Sequence, residues 1–237
     1  MDKTEIGVLS AVGLAVLTVV VIIAAERTAG ERYESGGFNI AHLANQSHGS
    51  IDVTDFARVE TRGSWQVMIT QGDKWKVDLS YPEDLEDRLR VRMEGNSLIL
   101  ATRPRFGIRW NEGPATARIV MPALVTLDVG GAGKVKFSGF SGDRLAISIS
   151  GAAKIDGTDG HYDELALTVR GAGNVDMRDM VFTNARTQVS GAGNIAITMD
   201  GGVLSGKISG AGKVAYYGSV SDERIATTGA AVVRHED

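Results

Sequence analysis

The sequence predicts an all-β fold, a β-solenoid with coils of about 20 residues, preceded by an N-terminal transmembrane helix. Three observations predict it. A glycine-centred motif recurs at a nearly constant spacing, apolar and polar residues alternate on both sides of it, and one long uncharged segment lies near the N-terminus. A fixed period in this range is typical of solenoids and other repeat arrays.

The motif recurs six times, from Val129 to Val233. The first glycines of successive copies are separated by a nearly constant interval, which sets the predicted length of one coil. Glycine permits positive φ angles and close approach between coils, and a column of alanines fits a bend that has no room for larger side chains. We therefore predict the following residues as the structural corners of the solenoid: Gly131, Ala132, Gly151, Ala152, Gly171, Ala172, Gly191, Ala192, Gly210, Ala211, Gly229 and Ala230.

Apolar residues alternate with polar ones before and after each of these glycines. In the first copy, Leu127 and Val129 precede Gly131, and Val135 and Phe137 follow it. This alternation predicts strands with one buried face. A unit is too short for a propeller blade, which needs about 40 residues, and no helical periodicity is present. We expect equivalent residues to stack about 4.8 Å apart in neighbouring coils.

Residues 51–124 show the same alternation without the repeat. Apolar side chains at every second position predict strands around 59–69 and 75–81, joined as a hairpin through the turn at 71–74. A second turn is predicted at 94–97, between two further strands. We interpret this part as an irregular β region at the start of the solenoid, and residues 125–237 as the repeat solenoid itself.

A long uncharged segment runs from Ile6 to Ala25. As a helix it would be about 30 Å long, which matches the hydrocarbon core of a bilayer. Because it is longer than the apolar part of a signal peptide, residues 1–25 are predicted as a short tail and an uncleaved signal-anchor helix, with a cleaved signal as the alternative. Residues 26–50 are predicted as a polar linker. We expect the main domain to be periplasmic or extracellular, although the charges flanking the segment are nearly balanced.

Composition excludes several classes of function. The formal net charge of the 237 residues is −4, which gives no electrostatic footprint for nucleic acid. The absence of cysteine excludes disulfides, thiolate metal sites and a cysteine nucleophile. The four histidines are too scattered to predict a metal cluster: His42, His48, His161 and His235.

Two motif copies have a superficial likeness to nucleotide-binding and calcium-binding loops. The sequence around Gly133-Lys134 lacks the earlier glycine of a phosphate-binding loop and has Val135 where Ser or Thr is required. Calcium-binding repeats need an aspartate after the turn, where this sequence has lysine or asparagine. We therefore predict no nucleotide, no cofactor and no metal ion.

Stacked coils would place polar side chains in columns along the solenoid. The position after each corner reads, in order, Lys134, Lys154, Asn174, Asn194 and Lys213. Two residues further on, Asp156 and Asp176 line up, and with Arg178 they form the only candidate group for acid–base catalysis or metal binding. A solvated charged face, with Lys136 paired to Asp156, accounts for the same residues. We therefore predict no catalytic residue.

The repeat and the upstream region together resemble a known family. The residues that carry the resemblance are the six motif copies, Phe56-x-x-Val59, and Val67-x-Ile69-x-Gln71-Gly72-Asp73. Over roughly residues 51–233 the chain is similar to the bacterial DUF2807 family of adhesin-like head GIN domains. The resemblance implies a right-handed, β-helix-like solenoid without known catalytic residues, and a role in cell adhesion or envelope structure.

We therefore expect a non-enzymatic, membrane-anchored cell-envelope protein that presents a β-solenoid surface to a polysaccharide or protein partner. Two alternatives stay open. One is a carbohydrate-active lyase or hydrolase, which would need a groove where Asp156, Asp176 and Arg178 converge. The other is a self-assembling envelope scaffold in which the ends of the coils stack between molecules. No nucleic acid or nucleotide partner is expected.

Overall fold

The computed structural model describes residues 46–103 and 113–237. The predicted membrane helix, Ile6–Ala25, and the predicted linker up to residue 45 lie outside the described residues. Within residues 46–103 and 113–237, no helix is long and apolar enough to cross a bilayer. The helical element found there is a short 3₁₀ helix, Glu83–Arg88.

Strands make up most of the described chain, so the prediction of an all-β fold is confirmed. Their bounds are β1 Gln46–Ile51, β2 Arg58–Gln71, β3 Lys76–Pro82, β4 Leu89–Glu94, β5 Ser97–Thr102, β6 Ala115–Met121, β7 Thr126–Ser138, β8 Ser141–Asp200, β9 Val203–Ser219 and β10 Asp222–His235. β1 pairs antiparallel with β3, so the last residues of the segment predicted as a linker belong to a strand.

The strands form one sheet in the order β1-β3-β6-β2-β7-β8-β9-β10, with β4 and β5 beside this path. From β2 onward the neighbours in this order are parallel. Thr126 of β7 pairs with Ala146, and Asp222 of β10 pairs with Val203, so from β7 onward each strand lies against residues about one motif period away, whereas β2 pairs with β7 across a longer stretch of chain. Parallel pairing of successive segments stacks equivalent positions of the repeat on one another.

The predicted hairpin between residues 59–69 and 75–81 is wrong. β6 lies between β2 and β3, parallel to β2 and antiparallel to β3. β6 buries Ala115, Ala117, Ile119 and Met121 at alternate positions, and a three-stranded arrangement covers more apolar surface than an isolated hairpin. The predicted turn at 94–97 is correct, because β4 and β5 are antiparallel neighbours on its two sides.

The core lies along the inner side of the stacked strands. In β7, Leu127, Val129, Val135 and Phe137 are buried, while the residues between them are at least partly exposed. The pattern continues in β8 and β9, where the equivalent positions are again mostly apolar and buried. The alternation read from the sequence therefore separates the inner from the outer side chains correctly.

A second part of the core fills the segments that connect one motif copy to the next. Phe140, Tyr162, Met180 and Phe182 are all at most 2% exposed there. The rings of Tyr162 and Phe182 stack with their centroids 6.5 Å apart. The Tyr162 hydroxyl donates a hydrogen bond to the carbonyl of Leu124 at 2.8 Å, and burial raises the pKa of this phenol.

Candidate functional site

The predicted corner glycines occupy positions where a side chain has no room. All six have positive φ angles, between 91° and 128°. A Cβ atom on Gly151 would lie 2.3 Å from the carbonyl oxygen of Gly131, and one on Gly191 would lie 2.2 Å from that of Gly171. The alanine that follows each of these glycines is exposed. These residues shape the scaffold and offer no reactive group.

One further copy of the motif was missed from the sequence. Gly63 in β2 pairs with Gly131 and has a φ of 102°. Ser64 takes the place of the alanine, and the fully buried Trp65 takes the place of the second glycine. Because this copy lies several motif periods before Gly131 in the chain rather than one, the periodicity could not reveal it. A glycine followed by alternating apolar residues was the available signal.

The three residues considered for catalysis do not form one acid–base group. Arg178 donates from Nε to Oδ1 of Asp176 at 2.9 Å and from Nη2 to Oδ2 at 2.6 Å. Asp156 instead lies 3.4 Å from the ammonium group of Lys154. Lys136 in β7 pairs with Asp156 in β8, as the repeat predicted. Asp156 and Asp176 thus each have a cationic partner.

Electrostatics fix the charge state of the Asp176–Arg178 pair. The hydrogen bonds from Arg178 lower the pKa of Asp176, and the same contact raises the pKa of the Arg178 guanidinium. A general acid at neutral pH needs a raised pKa, and Asp176 has a lowered one. The geometry is that of a bidentate ion pair, which holds the guanidinium in one orientation.

A shallow groove of about 180 Å³ lies beside this ion pair, on the outer side of the strand segments that follow the corner glycines. Ala196 in β8 and Ala215 in β9 are paired residues, and they form its floor. We call this groove the alanine trough. It is lined by Asn174, Asp176, Arg178, Asn194, Ala196, Lys213, Ala215 and Tyr217, with Val175 and Ile195 below.

The two walls of the alanine trough follow from the strand register. Asn194 pairs with Lys213 on one side, and Thr198 pairs with Tyr217 on the other. The Lys213 ammonium group donates to the carboxylate of Glu236. The Tyr217 side chain is half-buried and interacts with Arg178, whose pKa it helps to raise. The sequence had singled out Asn174, Asn194, Lys213, Asp176 and Arg178, but Tyr217 and the two alanines were missed.

A second groove, of about 420 Å³, lies on the outer side of the segments that precede the corner glycines. Glu60 pairs with Asp128 across β2 and β7 at its centre, and Arg62 forms an ion pair with Glu60. Burial, reinforced by the charge of Glu60, raises the pKa of Asp128. In residues 46–103 and 113–237 there is no group of three or more His, Asp or Glu side chains that could hold a metal ion.

Comparison with known proteins places this architecture in a family. Residues 55–219 match the family described as "Putative auto-transporter adhesin, head GIN domain" (DUF2807). A solved putative adhesin from Bacteroides fragilis NCTC 9343 is 17% identical with a TM-score of 0.62, and the alignment covers 81% of this chain and 98% of that chain. A putative lipid binding protein from Parabacteroides distasonis ATCC 8503 is also 17% identical, with a TM-score of 0.52 and coverage of 82% and 98%.

At these identities the two structures support the fold alone. No curated protein matches the sequence. The family match, by contrast, spans well over half of the residues and includes most of the strands described above. The chain therefore belongs to the DUF2807 family of head GIN domains.

Proposed function

We propose that this protein is a non-enzymatic, adhesin-like binding module of the cell envelope. The alanine trough is the observation that carries the proposal. It lies on a surface of paired strands, where each side chain is held by a rigid backbone, and its lining consists of amides, paired charges and one aromatic ring. Such a surface is suited to recognising a polysaccharide or a protein rather than to chemistry.

The architecture that we propose for presenting this surface is a right-handed β-solenoid on a membrane anchor. From β7 onward, the parallel pairing of each strand with residues about one motif period away supports the solenoid, as does the column of inward apolar side chains. In this proposal, residues 1–25 contain the anchor helix Ile6–Ala25, and the part of the predicted linker that precedes β1, residues 26–45, forms a tether. Residues 46–124, from β1 onward, form the irregular start of the solenoid, and 125–237 form its repeat. The main domain would be periplasmic or extracellular.

A carbohydrate-active enzyme that uses Asp156, Asp176 and Arg178 is a weaker alternative. It needs one carboxyl group with a raised pKa opposite a second carboxylate. Asp176 has a lowered pKa because of Arg178, and Asp156 is paired with Lys154. These contacts favour binding over turnover at this place.

Self-assembly is the second candidate, and one observation favours it. β10 is the terminal strand of the sheet order and pairs with β9 on one side. Between Ile225 and Val233 it carries neither a charge nor a proline, the two features that usually protect an edge strand from pairing with another molecule. Filaments that grow with protein concentration, followed by light scattering, would support this role.

The binding role is tested with cells that express the full chain. We expect the protein to be in the membrane fraction. Protease added to cells whose outer layer has been opened should digest its main domain. The cells should attach to surfaces coated with polysaccharide or protein. Deletion of residues 6–25 should release the domain and abolish attachment. Two results would contradict the proposal. One is activity of a reporter that works only in the cytoplasm when it is fused after Asp237, and the other is attachment no better than that of cells without the protein.

A further inference from the structure

We infer that the alanine trough binds an uncharged glycan chain. The inference rests on the proposed binding role, because it names the class of partner for the same site. Three properties of the trough carry it: its charges are already paired with one another, its rim offers groups that both donate and accept hydrogen bonds, and an aromatic ring flanks a recessed apolar floor.

The pairing of charges favours an uncharged ligand. Both cations in the lining have a carboxylate partner: Arg178 contacts Asp176, and Lys213 contacts Glu236. A polyanion would have to displace a carboxylate from one of these cations before it gained an ion pair of its own. An uncharged chain would leave both pairs in place and could bind to their remaining donors and acceptors.

The rim of the trough matches the hydrogen-bonding pattern of sugar hydroxyl groups. Asn174 and Asn194 are exposed and occupy the same position in successive copies, since Gly191 lies directly against Gly171. Each carboxamide provides two donor hydrogens and one acceptor oxygen, and the Tyr217 hydroxyl can do both. A hydroxyl group also donates and accepts, so adjacent hydroxyls on a sugar ring can satisfy one carboxamide. The stacking places the two amides about 4.8 Å apart.

The floor is recessed only where Ala196 and Ala215 lie. The same column carries Asp156 and Asp176 in earlier copies, and Arg234 pairs with Ala215 in the following strand. The two alanines, of which Ala196 is partly exposed and Ala215 is buried, therefore lie at the bottom of a gap bounded by larger side chains along the stack. The half-buried ring of Tyr217 stands beside this gap. An amphipathic aromatic ring can pack against the C–H face of a sugar while its hydroxyl stays hydrogen-bonded.

The test measures binding of purified full chain, in a detergent without a sugar headgroup, to dextran, mannan, laminarin and the acidic polymer polygalacturonate. We expect at least one uncharged polysaccharide to bind more tightly than polygalacturonate. Ala196→Gln fills the trough without changing its charge, and Tyr217→Ala removes the ring. Each is expected to weaken that binding about tenfold or more. Ala146→Gln makes the same change at an outward position between buried Leu145 and Ile147 on the other face and should bind like the unmodified chain.

The melting temperature of each variant is measured as well, and we expect it to stay near that of the unmodified chain, as it must if the fold is intact. Binding to none of the uncharged polymers, a preference for polygalacturonate, or wild-type affinity in Ala196→Gln would overturn the inference. If cells with the unmodified chain attach and cells with Ala196→Gln attach equally well, the trough is not the binding site, while the proposed binding role is retained. Failure of the unmodified chain to support any attachment would remove the binding role itself.

Discussion

Gly191→Ala is expected to lower the thermal stability of the domain severely, or to leave it insoluble. The new Cβ would lie 2.2 Å from the carbonyl oxygen and 3.1 Å from the backbone nitrogen of Gly171. These contacts are with backbone atoms in a paired strand, so no side-chain rotation can relieve them. The φ of 128° adds strain for any residue with a Cβ. We expect a loss of about 4 kcal/mol or more in the free energy of unfolding, measured by circular dichroism during heating.

Gly201→Ala is the matched control for this substitution. Gly201 also has a positive φ, of 79°, but a Cβ there would meet nothing within 4 Å. Only the backbone strain remains, so the expected loss is about 1–2 kcal/mol. The difference between the two variants isolates the contribution of close stacking. Equal and small losses in both would mean that the copies are not packed against each other at Gly191.

Phe182→Ala should also destabilise the domain strongly. Phe182 is fully buried, and its ring stacks against Tyr162 with an angle of 16° between the ring planes. Removal of the ring leaves a cavity beside the buried ring of Tyr162. A truncation of this kind costs about 3–5 kcal/mol, which corresponds to a decrease in Tm of about 10 °C for a domain of this size.

Val125→Ala provides the comparison for Phe182→Ala, because Val125 is 39% exposed. It removes apolar atoms at a site where little packing is lost, and we expect a change within about 0.5 kcal/mol. Differential scanning calorimetry of both variants checks the pair. A Phe182→Ala variant as stable as Val125→Ala would show that the connecting segments do not hold the copies together.

The parts of the fold that follow from local pattern could be predicted from the sequence. Alternation identified the buried residues of β7, such as Leu127 and Phe137, and the turn at 94–97. The insertion of β6 between β2 and β3 could not be predicted, because pairing between distant strands depends on which apolar faces match in three dimensions. The copy centred on Gly63 could not be predicted either, because Trp65 takes the place of the small residue that marks the other copies.

The candidate site was predictable only in part. The columns of lysine and asparagine followed from the period, as did the nearness of Asp176 to Arg178. Ala196 and Ala215 carry no chemical signal in the sequence, and they form a recess only because neighbouring copies carry larger side chains at the same position. Glu236 is distant from Lys213 along the chain, so its neutralising contact depends on the pairing of β10 with β9.

Distances between spin labels test most directly whether the glycine motifs stack one above another. The chain has no cysteine, so Ala132→Cys can be combined with Ala192→Cys, Ala211→Cys or Ala230→Cys and labelled specifically. All four alanines are exposed. Backbone separations of about 14, 19 and 24 Å are expected, an increase of about 4.8 Å for each added copy. Separations that stay constant, or that fall again for the most distant pair, would contradict a linear stack.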